Sequence, residues 1–356
     1  MANETEAVEV GIVGGSGYSG GELMRLLLAH PRARIAWVTS RGDKRLEAIH
    51  RNLVGSGLRF VREEEAGRAD VVFLCTPARE SMLKAPGYLA AGARVIDIGS
   101  DFRLKDRATF ERVYKAEHTC WELVGDAPYG ATELHRDAIA RARLVANPGC
   151  FAYTAILALA PLLDAQLIDR ERVVVDGLSG TSGAGAEPST PTHHSEIGNS
   201  VFPYNVVEHR HTYEIEQELS GVAGEEVIVH FTPYYCPFTR GILAGCHGFL
   251  TKAVTRAEVL ALYEDFYRGE PFVRVLGFDK DPAASWQYLP YPAVGPVAGS
   301  NHVHLGVDVD ERRRRVVAFG ALDNLGKGAA SSAIQNMNCM LGWPEETGIA
   351  GVGLHP

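Results

Sequence analysis

The chain predicts an α/β protein of two domains: a doubly wound parallel sheet, then an α+β domain whose sheet is mainly antiparallel. Three observations predict it. Its 356 residues, at roughly 150 per domain, favour two domains over one. The first half alternates short apolar runs with helical stretches, the order that builds a parallel sheet. The second half carries several period-two runs, which suit a sheet with one solvated face.

The elements follow in order. Residues 8–13 read as an apolar strand, followed by a glycine-rich turn and a helix over 21–29. Further strands are predicted at 35–39, 71–75 and 94–98, with a helix over 77–91. A helix over 151–165 and a strand over 173–177 open the second half. A stretch rich in Gly, Ser, Thr, Pro and His spans 179–200. Strand patterns then recur at 226–232, 241–250, 302–309 and 315–321, and a last helix is predicted over 327–341.

Composition excludes some functions. Apolar residues make up 46% of the chain and charged residues 22%, which rules out disorder as the main state. With 35 Lys and Arg against 44 Asp and Glu, the net charge of −9 argues against broad nucleic-acid binding. An anionic substrate must therefore be held by a local cluster of Arg, His or main-chain N–H groups. The first residues lack a basic region and an apolar core, so no signal peptide is expected. The apolar run 155–163 is too short to span a bilayer, and the chain is expected to be soluble and cytoplasmic. Cys75, Cys120, Cys150, Cys236, Cys246 and Cys339 are scattered without a CxxC pair, which argues against a zinc ribbon or a redox dithiol.

The first strand runs into Gly14-Gly15-Ser16-Gly17-Tyr18-Ser19-Gly20-Gly21. A loop of this kind exposes main-chain N–H groups at a helix N-terminus, where the dipole favours phosphate. Gly14, Ser16, Gly17, Tyr18, Ser19 and Gly20 are thus candidate dinucleotide contacts, against the alternative of a plain turn. An NAD site usually has an acid after the second strand to hold the ribose. Here Thr39-Ser40-Arg41 follows, and a hydroxyl beside a guanidinium suits a 2′-phosphate, so NADP(H) is the expected cofactor. The alternative is that Arg41 is a solvated loop charge.

Asn147-Pro148-Gly149-Cys150 precedes the apolar helix. A cysteine at a helix N-terminus is enriched in thiolate, which makes Cys150 the candidate nucleophile. The segment Glu208-His209-Arg210-His211-Thr212-Tyr213-Glu214 supplies an acid or base for it. Two His at i and i+2 on a strand or loop could also bind a metal, but no third ligand is evident, so no metal is expected. Whether His209 or His211 carries the proton stays open. His302 and His304 read as ordinary strand residues, and Arg312-Arg313-Arg314-Arg315 as a solvated hairpin turn. The serines of 179–183 do not fit the G-x-S-x-G elbow, which argues against a serine hydrolase.

Seven ordered segments carry a resemblance: 14–21, Ser100-Asp101-Phe102-Arg103-Leu104, 147–150, 179–185, 209–215, Thr239-Arg240-Gly241-Ile242 and Asp323-Asn324-Leu325 with Lys327-Gly328. On them, and over nearly its whole length, the chain resembles the N-acetyl-gamma-glutamyl-phosphate reductase family of arginine biosynthesis, with the semialdehyde dehydrogenase fold. The resemblance implies a discontinuous dinucleotide domain, 1–149 with 325–356, and a catalytic and oligomerisation domain, 150–324. It implies a small acyl-phosphate substrate, a homo-oligomer, and reduction through a Cys150 thioester with NADPH. His211 is then the acid/base, oriented by Glu214 or His209. Arg240, Arg103, Asn147 and His209 are candidate substrate contacts, and Ser182 and Asn324 lie near the nicotinamide. Alternatives are the sister reductase of lysine biosynthesis, aspartate-semialdehyde dehydrogenase, and a non-catalytic NADP-binding redox sensor. Asn147-Pro148 favours the arginine enzyme over the lysine one, whereas His193-His194 looks more like the lysine enzyme.

Overall fold

A computed structural model describes residues 7–42, 44–277 and 291–355. The chain divides into two compact units. One holds the residues up to Pro148 together with Ala329–Ala350, and the other holds Gly149–Gly328 with the residues from Gly351. The returning segment therefore starts at Ala329, four residues after the expected 325, and stops at Ala350.

The first unit is built on strands β1 (Val8–Val13), β2 (Ala33–Thr39), β3 (Phe60–Val61), β4 (Val71–Leu74), β5 (Arg94–Asp97) and β6 (Leu144–Ala146). Its helices are α1 (Tyr18–Leu27), α2 (Leu46–Ile49), α3 (Ser81–Ala90), α4 (Arg107–Tyr114) and α5 (Thr132–Arg141). The strands pair in parallel in the order β3-β2-β1-β4-β5-β6. The order reverses between β1 and β4, the switch point where open α/β sheets bind ligands. All four residues of β4 are buried, as expected for a central parallel strand covered on both faces.

The second unit opens with α6 (Cys150–Asp164), β7 (Val173–Gly180), α7 (His194–Ile197), β8 (Phe202–Pro203) and α8 (Arg210–Ala223). It continues with β9 (Val229–Cys236), β10 (Ile242–Phe249), α9 (Arg256–Phe266), β11 (Val273–Val275), β12 (Val303–Asp310) and β13 (Arg315–Leu322). The sheet order is β11-β12-β13-β10-β7-β9-β8. Most neighbours are antiparallel, but β7 with β9 and β11 with β12 are parallel, so the sheet is mixed. The arginine-rich stretch does form the turn between β12 and β13.

α6 is apolar all round and buried from Phe151 to Leu163, so it is the core of this unit. Pro161 removes the N–H that would bond Leu157 O, and the Tyr267 hydroxyl donates to that carbonyl instead, at 2.5 Å. α8 buries His211, Glu214, Ile215, Glu218 and Leu219, a helical stripe. The sequence reading placed the two histidines on a strand or loop. The stripe was hidden because three of its five members are polar.

The last helix, α10 (Ser331–Met340), belongs to the first unit and is buried throughout. Its polar side chains are bonded rather than solvated: Asn336 accepts from Thr132 Oγ1 at 2.9 Å, and Asn338 donates to the carbonyls of Glu345 and Thr347.

Candidate active site

In the first unit, β1 runs through Gly14 and Gly15 into α1. Gly14 has φ +82°, and a Cβ there would meet Cys75 O at 2.4 Å, so the turn needs glycine. Gly15 N–H donates to Thr39 O at 2.8 Å, which ties the loop to the end of β2. Gly17 caps α1 with no side-chain bond, and space opens beside it. Ser16, Tyr18, Ser19 and Gly20 lie on this same turn, at the switch point, and their arrangement fits a dinucleotide phosphate. Thr39 is buried at the strand end, Ser40 Oγ donates to Arg41 O, and the exposed Arg41 guanidinium pairs with Glu80. The guanidinium expected at the far end of the cofactor thus has a carboxylate already beside it.

The cysteine turn is anchored on its N-terminal side within this unit. Arg103 is buried, and its Nε donates to Asn147 O at 2.8 Å while Nη2 donates to Ile98 O at 3.0 Å. Asn147 is fully buried. Its Nδ2 donates to Ala329 O at 3.0 Å, and its Oδ1 accepts from Asn336 Nδ2 at 3.0 Å and from Ser332 Oγ at 3.2 Å. Both residues hold the turn through these bonds; the sequence reading had them among the candidate substrate contacts.

In the second unit, Cys150 is the first residue of α6, where unpaired first-turn N–H groups favour an anion. It is half-buried. Burial pushes the Cys75, Cys120 and Cys339 thiols up, to about 12, 11 and 11 respectively, and raises those of Cys236 and Cys246 as well. Those five behave as small hydrophobes.

Gly149, the cap of α6, makes no side-chain capping bond, and its own N–H finds a partner from another helix. Glu214, fully buried on α8, accepts that N–H with Oε2 at 3.0 Å. Its Oε1 lies 3.9 Å from His211 Nε2, three residues earlier on the same face. One carboxylate therefore spans the cysteine turn and the histidine. His211 and His209 both pack on the edge of the Phe151 ring, next to Cys150, with centroids 6.0 and 5.9 Å away.

The two histidines differ. His209 caps α8, and its Nδ1 accepts His211 N–H at 3.2 Å. Burial, with help from Arg210, pulls its pKa down to about 3, so it stays neutral. It caps α8, which leaves His211 as the candidate for the proton.

Arg240 pairs side-on with the buried Asp323: Nε donates to Oδ1 at 3.1 Å and Nη2 lies 2.8 Å from Oδ2. Asn324 Oδ1 accepts Gly241 N–H at 2.6 Å, and its Nδ2 donates to Ser182 Oγ at 3.0 Å. These two candidate nicotinamide neighbours thus support each other. Gly328 is packed so closely that an added Cβ would lie 2.7 Å from Cys150 Cβ.

Two residues here escaped the sequence reading. Tyr204 stacks on Tyr235 at 4.1 Å, and burial, Tyr235 and the neighbouring Cys150 charge together raise its hydroxyl. Gly328 lies within a quoted motif, but its role depends on a contact no spacing reveals. Among the described residues, no group of three or more His, Cys, Asp or Glu is placed to hold a metal ion.

Comparison with known proteins now adds to this geometry. Residues 9–142 match the model of the semialdehyde dehydrogenase NAD binding domain, and residues 150–324 match that of the semialdehyde dehydrogenase dimerisation domain. An N-acetyl-gamma-glutamyl-phosphate reductase of Pelotomaculum thermopropionicum is 44% identical, over 98% of this chain and 100% of the relative. The chain belongs to the N-acetyl-gamma-glutamyl-phosphate reductase family. The reductase of Methanocaldococcus jannaschii is 41% identical over 98% of this chain and 99% of its own. Among solved structures, aspartate semialdehyde dehydrogenase II of Vibrio cholerae superposes with a TM-score of 0.67 at 19% identity, covering 95% of this chain and 99% of that one. That likeness shows the fold alone. No helix among the described residues is long and apolar enough to cross a membrane.

Proposed function

We propose that this chain is an NADPH-dependent reductase that converts N-acetyl-gamma-glutamyl phosphate to N-acetylglutamate 5-semialdehyde and phosphate, in the cytoplasm, as a homo-oligomer. The observation that carries the reading is the Glu214 carboxylate, which bridges the turn of Cys150 and the face of His211. Identity of 41–44% to reductases of that name supports the small acetylated substrate over a carrier-linked one. The match to a dimerisation domain supports the oligomer.

The Cys150 thiolate attacks the acyl carbon, and the carbon–oxygen bond to phosphate breaks, leaving a thioester on Sγ. Phosphate is a good leaving group, so it needs charge stabilisation more than a proton, and Arg240 supplies that to the phosphate or to the substrate carboxylate. Bound NADPH supplies the hydride that takes the thioester to the aldehyde oxidation level. The loop of Gly14, Ser16, Gly17, Tyr18, Ser19 and Gly20 would hold its pyrophosphate, Thr39, Ser40 and Arg41 would hold its 2′-phosphate end, and Ser182 and Asn324 are the residues that would serve its nicotinamide. His211 carries the proton to and from the tetrahedral oxygen, with Glu214 beside it on α8, as the carbon–sulfur bond breaks and the thiolate is restored. Arg103 and Asn147 keep the turn still, and His209 keeps α8 capped.

The test is the reverse reaction: N-acetylglutamate semialdehyde, phosphate and NADP⁺, followed by NADPH absorbance, with Cys150→Ser alongside. Phosphate-dependent NADPH formation, lost in the variant, is expected. No turnover from folded protein that still binds NADPH would turn the reading to a carrier-protein substrate, and failure there to a redox sensor.

A further inference from the structure

The end of β2 carries Arg41 where an NAD site usually carries an acid, yet a carboxylate reaches that place from another element. Glu80 is the residue before α3, and its Oε1 pairs with Arg41 Nη2. The pair is lopsided: the Arg41 side chain is 76% exposed and that of Glu80 24%. Both residues line one cavity of about 880 Å³, so the pair is open to a ligand. Glu80 does not serve the helix. Its side chain makes no capping bond, and Asp101, after β5, meets the amides at the start of α3. Asp101 accepts Arg79 N–H at 2.7 Å and Met82 N–H at 3.0 Å. Arg79 turns with φ +73°, a left-handed conformation that a long side chain rarely takes, and the bond to Asp101 holds it there. The backbone that presents Glu80 is therefore fixed from a distant segment.

Stability does not account for the pair, since an ion pair this exposed contributes little. Charge decides what it does to a cofactor. At this end NADPH carries a 2′-phosphate of nearly two negative charges, and NADH a neutral hydroxyl. To meet the phosphate, Arg41 either leaves Glu80 or holds two anions at once. In the first case the less exposed partner loses its counter-ion, and in the second a carboxylate and a phosphate repel across one guanidinium. NADH leaves the pair as it is. Glu80 thus acts against NADPH and is indifferent to NADH.

We propose that Glu80 is a specificity residue of the cofactor site, which competes with the 2′-phosphate for Arg41 and so narrows the preference for NADPH over NADH. The inference rests on the reading of Arg41 as the 2′-phosphate contact. Fluorescence titration of NADPH and of NADH into the whole protein tests it without turnover. Glu80→Gln keeps the size of the side chain and removes its charge. It should lower Kd for NADPH about three- to tenfold and leave Kd for NADH within about twofold. An NADPH Kd that is unchanged or raised would overturn the proposal, because Glu80 would then be inert or would orient Arg41. An equal gain for NADH would overturn it as well. Arg41→Gln should raise Kd for NADPH about tenfold or more. If it does not, the reading of Arg41 fails, while that of Cys150, which turnover measures, stands. In the Arg41→Gln background most of the gain from Glu80→Gln should vanish. The full gain there would mean that Glu80 acts on the phosphate through its bare charge, and competition for Arg41 would be refuted.

Discussion

Two strand-to-helix junctions hold most of the proposed site of this chain, the loop after β1 and the turn before α6. The first is made of main chain. Gly14 turns with positive φ, Gly15 N–H bonds Thr39 O, and the first amides of α1 face outward with no side-chain cap. The second is made of side chains from distant segments. Arg103, Ser332 and Asn336 hold Asn147, Glu214 takes the N–H of Gly149, and Gly328 lies against Cys150. The difference follows from the ligand. A phosphate is satisfied by any array of N–H groups at a helix start, so a short local segment suffices. A nucleophile needs one atom in one place beside one proton carrier, and only packed side chains fix that.

The largest expected effect separates the two junctions outright. Cys150→Ser should lower turnover by about 10⁴-fold or more, while NADPH titration stays as in the parent. Loss of NADPH binding in the folded variant would join what the comparison keeps apart. Next comes His211→Asn, which should cost about 10²- to 10³-fold in kcat with NADPH affinity unchanged. An equal loss from His209→Asn would contradict the division of labour between cap and proton carrier.

The two junctions also differ in how much the sequence disclosed. The first unit was legible because its strands are short apolar runs between helices, and because a glycine loop at a switch point is a local pattern. Cys150 was legible for the same reason, as a residue at the start of an apolar helix. α8 was not, since a buried polar stripe of His211, Glu214 and Glu218 replaces the apolar residues that mark an amphipathic helix. The parts of Asn147 and Arg103 were also obscured. Their residue types suit an anion, and only burial among Ala329, Ser332, Asn336 and Ile98 shows where their bonds go.

A smaller effect tests whether packing sets the cysteine. Gly328→Ala would bring a methyl group to 2.7 Å from Cys150 Cβ, so one of the two must move. A displacement of that size should lower kcat by about tenfold to a hundredfold, with NADPH affinity unchanged. An alanine variant with parental kcat would mean that the nucleophile tolerates movement, and the contrast with the phosphate loop would weaken.

The smallest effect concerns stability and isolates His209. In the unfolded chain an imidazole takes its proton near pH 6.5. In the fold, burial first and Arg210 second delay that proton to about pH 3. Between those values the unfolded state binds more protons, so this histidine makes stability fall as pH drops and has no effect above the window. Its share of the slope is at most about 1.4 kcal/mol per pH unit. His209→Asn keeps a capping oxygen for the His211 N–H but cannot titrate. Urea unfolding of both proteins from pH 7 to 4.5 should therefore show the variant losing less stability on acidification. Parallel curves would mean that His209 is protonated in the fold, and it would then rejoin His211 as a candidate acid.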